Sequence, residues 1–401
     1  MDGREGLGIG GALRTILERL LGMDEADALL RVLVIPPALL EEGEPGPELP
    51  ETERTASRAV LAQALNVLLF RDLLERVPAA KRYVERTVVQ GRTVLHDHGA
   101  VRTVAGLNGS LGSADKTGVA DGASAPNDGT AVRGTGSAGA GVKWGELPAG
   151  EEAIVRLLRP LGYALNGVYP LERLKMTGRS YAHVDMPEEI AQFFVSELHP
   201  ERFSPGFQAA LGRVLGSSVD PLTAEASGLL DVVEWDGRLT LDDAVRLLPV
   251  LVQCFGRQHG LAQPGSAALA GEGMIEESDY ELLLKESSEM AWIATEGNSF
   301  NHVTDRVTDV DALSAEQKAL GEPMKETVER SQSGRVRQTA FLAARVTRRF
   351  RTASGDARER EVPGSFLEFI TRLPVEQEGG KLDLGFDSSN AQAIFKMTAG
   401  G

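Results

Sequence analysis

A single cysteine, Cys254, stands among 401 residues, so the chain can form neither an intrachain disulfide nor a thiolate metal cage. Any metal site has to use histidine and carboxylate. Histidine is also scarce, at six residues, which lets each one be weighed by its setting. Positive charge is in the minority: 42 Lys plus Arg oppose 58 Asp plus Glu, a formal net charge of -16. That balance repels phosphate backbones and anionic lipid, so neither nucleic acid nor a membrane surface is expected as a partner. No stretch approaches the roughly 20 apolar residues of a bilayer span. Met1 to Leu21 contains Asp2, Glu5 and Glu18, unlike a secretory leader, and a cytoplasmic location is expected. With 42% apolar residues, the chain suits one large soluble domain or two modest ones.

Apolar residues recur at helical spacing from Gly10 to Leu33 (Leu13, Ile16, Leu17, Leu20, Leu21), predicting one amphipathic helix and a second from Glu25. An acidic, proline-bearing run from Glu41 to Glu53 reads as a loop. Helix resumes from Thr55 to Arg76, with Pro78 marking its end. Residues 1–90 are therefore expected to be mainly helical, and residues 91–401 to form the catalytic region. A strand pattern begins at Thr93 and is interrupted by residues 106–141, which hold ten glycines and no aromatic residue. Such a composition buries too little apolar area to offset its ordering entropy, and predicts a flexible insertion. Glu151 to Leu158 reads as helix, Tyr169 to Val184 as extended chain turning at Thr177-Gly178, and PEEIAQFFVSEL from Pro187 as helix. Residues 205–290 read as largely helical. Strands return from Trp292, over Ser299 to Val307, Arg337 to Phe350, Gly364 to Arg372 and near Lys381 to Thr398. The fold class expected is α+β.

The window VLHDHGAVRTV is the richest in chemistry. In a strand alternate residues share a face, so His96, His98, Ala100 and Arg102 would point one way and Asp97, Gly99 and Val101 the other. Small Ala100 would leave space between His98 and Arg102, whose α-carbons would lie about 13 Å apart. A short dicarboxylate fits between the Arg fork and a metal on a histidine. In SFNHVTDRV, His302, Thr304 and Arg306 share a face. In PGSFLEFITR, Glu368 sits among Phe366, Leu367, Phe369 and Ile370, where an ionised carboxylate is costly unless it is paired or binds a metal. Two strand histidines and one core carboxylate match the facial triad that leaves open positions on Fe(II). Zinc takes similar ligands, so residue types alone do not identify the metal.

These windows, together with ELPAGEEAIVRLLRPLGY (146–163), MTGRSYAHVD (176–185), IAQFFVSELHPERFS (190–204) and GFDSSNAQAIF (385–395), resemble the 2-oxoadipate dioxygenase/decarboxylases, also called hydroxyglutarate synthases, of the vicinal-oxygen-chelate superfamily. The resemblance implies a curved sheet or half-barrel holding the metal. It puts the metal histidines on His98 and His302, the metal glutamate on Glu368 and the substrate-binding arginine on Arg102. His183, in a shared motif, becomes a candidate substrate contact. The implied activity is Fe(II)-dependent conversion of a 2-oxo acid, 2-oxoadipate, with dioxygen to 2-hydroxyglutarate and carbon dioxide, a step of lysine catabolism. Two rivals differ in class: a Zn(II) or Ni(II) lyase, isomerase or hydrolase on the same scaffold, and a non-catalytic binding protein. Among the other candidates, His199 is expected to cap a helix, His259 to lie in a loop without a catalytic role, and Cys254 to be core.

Overall fold

Leu13, Ile16 and Leu17 line the buried face of α1 (Ala12–Leu21), and Gly22, at φ 85°, breaks the chain into α2 (Met23–Val32). Asp24 and Glu25 occupy the first turn of α2, where acids complement unpaired amides. The Ser57 hydroxyl accepts from the Val60 amide and starts α3 (Arg58–Arg76). This helix is buried around most of its circumference because it lies between other helices and a sheet. Pro78 does more than end it: at the first turn of α4 (Pro78–Val89) its missing N–H costs nothing.

The protein is seen here as a computed structural model describing residues 11–43, 53–107, 142–260, 274–331, 334–375 and 381–386. The expected insertion, from residue 108 onward, and the segment after 386 lie outside the described residues, as does most of the acidic loop after Glu41. No helix among the described residues is long and apolar enough to cross a membrane.

The α+β expectation holds. Eight strands form one curled, mixed sheet: β1 (His96–Val104), β2 (Tyr163–Leu171), β3 (Met176–His183), β4 (Gln192–Leu198), β5 (His302–Arg306), β6 (Glu329–Arg330), β7 (Val336–Ala340) and β8 (Phe366–Arg372). Their spatial order is β6-β7-β8-β5-β1-β4-β3-β2, with β1 parallel to β4 and β5 parallel to β8. One face carries Tyr181, Phe193, Val195, Val303, Leu367 and Phe369, which share a hydrophobic cluster with Val60, Leu65, Phe70 and Tyr83 of α3 and α4. The opposite face carries the polar residues discussed below.

Four expectations are corrected. PEEIAQFFVSEL holds no helix: its second half is β4, buried on both faces between β1 and β3. Such a strand needs a continuous apolar run, and its apolar positions mimic helical spacing. The turn between β2 and β3 lies at Glu172–Leu174 and Lys175, the latter at φ 55°, not at Thr177-Gly178. Trp292 belongs to helix α5 (Ser288–Glu296). The stretch from Arg337 to Phe350 is two strands, β7 and Arg345–Arg351, the latter paired with Ala357–Pro363 outside the main sheet.

Candidate metal centre

β8, β5 and β1 are neighbours, and their register sets Thr304 opposite Glu368 on one side and His98 on the other. His302, two residues before Thr304, stands on the same face one pleat away. The ligand atoms of His98, His302 and Glu368 consequently lie within 4.8 Å of one another, all three residues being buried. Glu368 Oε2 is 3.0 Å from His302 Nε2 and 3.6 Å from His98 Nε2. The Thr304 hydroxyl donates to Glu368 Oε2 at 2.9 Å and lies 3.1 Å from His98 Nε2.

A bulge decides between the two histidines of the HDH run. Thr304 pairs with His98 but Asp305 pairs with His96, so Asp97 is an extra residue in β1. Strict alternation fails there. His96 turns to the helix face, where its ring meets Phe70 at 5.9 Å, and burial drives its pKa down to about 3. Asp97 turns instead to the face of His98 and receives the His98 Nδ1 hydrogen at 2.8 Å. The expectation that His96 and His98 share a face, with Asp97 behind, is therefore corrected.

With Nδ1 bound to Asp97, His98 presents Nε2 to the centre; with Nδ1 2.8 Å from the Asn301 amide nitrogen, His302 does the same. An Nδ1–H donated to a carboxylate is how metal-binding imidazoles are oriented, as at His98; at His302 the same arrangement needs the Asn301 amide turned over, so that its buried and otherwise unpartnered Oδ1 accepts from Nδ1. Burial opposes charge on His98, but its hydrogen bonds to Asp97 and Glu368 outweigh it and raise the pKa; burial leaves His302 lowered. Burial would also raise Glu368, yet the two imidazoles hold its carboxyl down at about 2. Asp97 is lowered well below the usual carboxylate range against its burial, by Arg372, His98 and Arg306. The donor set fits a divalent cation: two imidazole nitrogens and one carboxylate converge, and the arginines nearby in sequence are engaged by Asp97 rather than by Glu368.

Arg102 lies on the same face as His98, fully buried, with its guanidinium 4.8 Å over the Trp292 ring. Burial brings its pKa to about 10, with Glu289 acting in the opposite sense, so it remains a cation at neutral pH. His183 is not brought to the centre. It ends β3 on the helix face, its ring 5.4 Å from Tyr163, and its Nδ1 accepts from the Asp185 amide. His199 follows a strand, its Nε2 2.8 Å from the Thr177 hydroxyl; His259 is buried beside Ser218; Cys254 is core. Sequence reasoning missed Asp97, whose role depends on the bulge, and Phe386, whose ring packs edge-on 4.8 Å from His98.

The family model described as 2-oxoadipate dioxygenase/decarboxylase matches residues 141–393. That span contains His302 and Glu368 and begins after His98 and Arg102. A solved structure from Ralstonia eutropha JMP134, assigned to the glyoxalase superfamily, is 47% identical with a TM-score of 0.75, covering 94% of this chain and 98% of that one. The hydroxyglutarate synthase of Oryza sativa, solved with 2-oxoadipate, shares the fold at 18% identity and TM-score 0.55, over 88% of this chain and 96% of that one. The Pseudomonas putida hydroxyglutarate synthase does so at 18% and 0.54, over 86% and 74%. No curated protein matches the chain.

Proposed function

The chain belongs to the 2-oxoadipate dioxygenase/decarboxylase family, and from that premise we propose that it is a non-haem Fe(II) enzyme converting 2-oxoadipate and dioxygen to 2-hydroxyglutarate and carbon dioxide. The observation that carries this reading is the buried convergence of His98, His302 and Glu368. Their Nε2 atoms and carboxylate would hold Fe(II). When bound, the ion would supply the redox chemistry that a 2-oxo acid and dioxygen need.

The remaining work belongs to the chain. Arg102 binds the distal carboxylate through its planar fork, which matches that group better than an ammonium would. Trp292 keeps the guanidinium face in place. Ala100, between His98 and Arg102 in β1, leaves room for the methylene chain. Phe366, stacked on His302 at 5.0 Å, and Phe386 beside His98 keep water from the reacting carbons. Asp97 and Asn301 hold the imidazoles, and Thr304 holds Glu368. The reaction balances without a second oxo acid: one oxygen atom enters the new carboxylate left by decarboxylation, and the other becomes the hydroxyl on the adjacent carbon.

The test is an oxygen-electrode screen of anaerobically iron-loaded protein over 2-oxo acids of varied length and terminal group. Oxygen uptake with 2-oxoadipate, matched by carbon dioxide release, is expected. Absence of uptake with every acid, together with Zn(II)-supported turnover, would favour a Lewis-acid lyase, isomerase or hydrolase instead.

A further inference from the structure

We infer that Asp97 and Arg372 are positioning residues that tie the orientation of the His98 imidazole to the clamping of residues 383–386 against the metal centre. The inference rests on the metal-site reading above.

The Asp97 and Arg372 side chains are wholly buried. Asp97 Oδ1 accepts from His98 Nδ1 at 2.8 Å and from Arg372 Nη2 at 2.9 Å. Its Oδ2 accepts from Arg306 Nε at 2.6 Å and from Arg372 Nε at 3.0 Å. A carboxylate held by two guanidinium groups and an imidazole has no free rotation, and neither does the ring it holds.

Arg372 has a second task. Its remaining nitrogen, Nη1, donates to the carbonyls of Asp383 and Gly385, both at 2.8 Å. Gln192, in register with His98 on the adjacent strand, donates to the Leu384 carbonyl at 3.3 Å, and the Phe386 amide donates to the Tyr169 hydroxyl at 3.2 Å. These bonds set the Phe386 ring 4.8 Å from His98, 4.9 Å from Phe194 and 5.1 Å from the Arg372 guanidinium. One guanidinium thus holds both the support of His98 and the strap beside it. Whatever fixes His98 must favour the strap, and the strap must favour His98 in return.

The test uses the full chain with Mn(II) alone as probe. In the wild-type protein, saturating Mn(II) is expected to slow hydrogen exchange of the 383–386 amides about tenfold or more, a coupling of ordinary size. Asp97→Asn is expected to weaken Mn(II) binding about 10- to 100-fold, the usual effect of losing the partner of a metal-bound imidazole. Arg372→Lys keeps a cation beside Asp97 but loses the fork to the two carbonyls. It is expected to abolish the Mn(II)-dependent slowing while weakening binding less than Asp97→Asn. His98→Ala is the reference: if it binds Mn(II) like wild type, the metal reading itself fails. If His98→Ala loses Mn(II) but wild-type exchange at 383–386 is the same with and without it, the metal reading stands and the coupling is overturned. Wild-type affinity in Asp97→Asn would overturn it too. Should Asp97→Asn not fold, the wild-type exchange measurement decides alone.

Discussion

The Thr304 hydroxyl stands between Glu368 and His98, 2.9 Å from Oε2 of the first and 3.1 Å from Nε2 of the second. The register of three adjacent strands puts it there. Its bond fixes which Glu368 oxygen faces the histidines. Thr304→Val keeps the shape and removes the bond, leaving a buried carboxylate oxygen with one donor fewer. We expect Mn(II) affinity to fall about tenfold by titration calorimetry, with unchanged far-ultraviolet circular dichroism.

Arg102→Met removes the cation and keeps much of the stem. A buried charge-assisted contact is worth about 1.5–3 kcal/mol, so kcat/KM for 2-oxoadipate should drop by one to two orders of magnitude. Metal affinity should stay near that of wild type. Loss of metal in this variant would mean that Arg102 supports the ligands rather than the substrate.

How much of this is legible in the sequence depends on the local backbone. Glu368 stood out because a lone acid in an apolar strand demands a reason, and period-two alternation correctly put His98, Ala100 and Arg102 on one face. The same rule misplaced His96 and Asp97, because one extra residue in β1 inverts alternation and no residue type in HDH announces a bulge. PEEIAQFFVSEL suggests a helix because a strand covered on both faces has no alternation to show. The motif that makes His183 a candidate carries no information about which face of β3 it takes. Nothing in the sequence placed Phe386 near His98, since that contact closes the chain over nearly its whole catalytic length.

Because His183 packs against Tyr163 on the helix face, His183→Ala should act on stability alone. A lower Tm is expected, with Mn(II) affinity and kcat/KM within about twofold of wild type, as for sites without shared partners. A tenfold loss of activity at unchanged Tm would restore it as a substrate contact.

Asp305 gives a pH signature away from the centre. Burial raises its carboxyl pKa from 3.8 to about 6, despite hydrogen bonds from the Tyr83 hydroxyl and the Leu95 amide. A group whose pKa is higher folded than unfolded stabilises the protein fully below about 3.8 and loses that contribution as pH rises through about 6. The loss has a ceiling of ~3 kcal/mol. Asp305→Asn cannot ionise, so its Tm relative to wild type should rise between pH 4 and pH 7. A constant difference across that window would refute the buried, protonatable carboxyl.

The ends of the glycine-rich segment meet. A side chain at Gly106 would collide with Val142, and the Ala149 amide donates to the Val142 carbonyl at 2.9 Å. Replacing residues 108–140 by a short glycine turn should therefore leave a cooperatively folding protein that binds Mn(II), checked by thermal melting with and without the metal. Loss of the cooperative transition would show that the segment contributes to the core.

The most direct measurement is anomalous diffraction from crystals grown with Fe(II) under anaerobic conditions and recorded on both sides of the iron edge. A single peak is expected at about 2.0–2.2 Å, the usual bonding distance for such ligands, from Nε2 of His98, Nε2 of His302 and a carboxylate oxygen of Glu368. A peak lacking any of these three, or no peak between them at full iron occupancy elsewhere, would contradict the account.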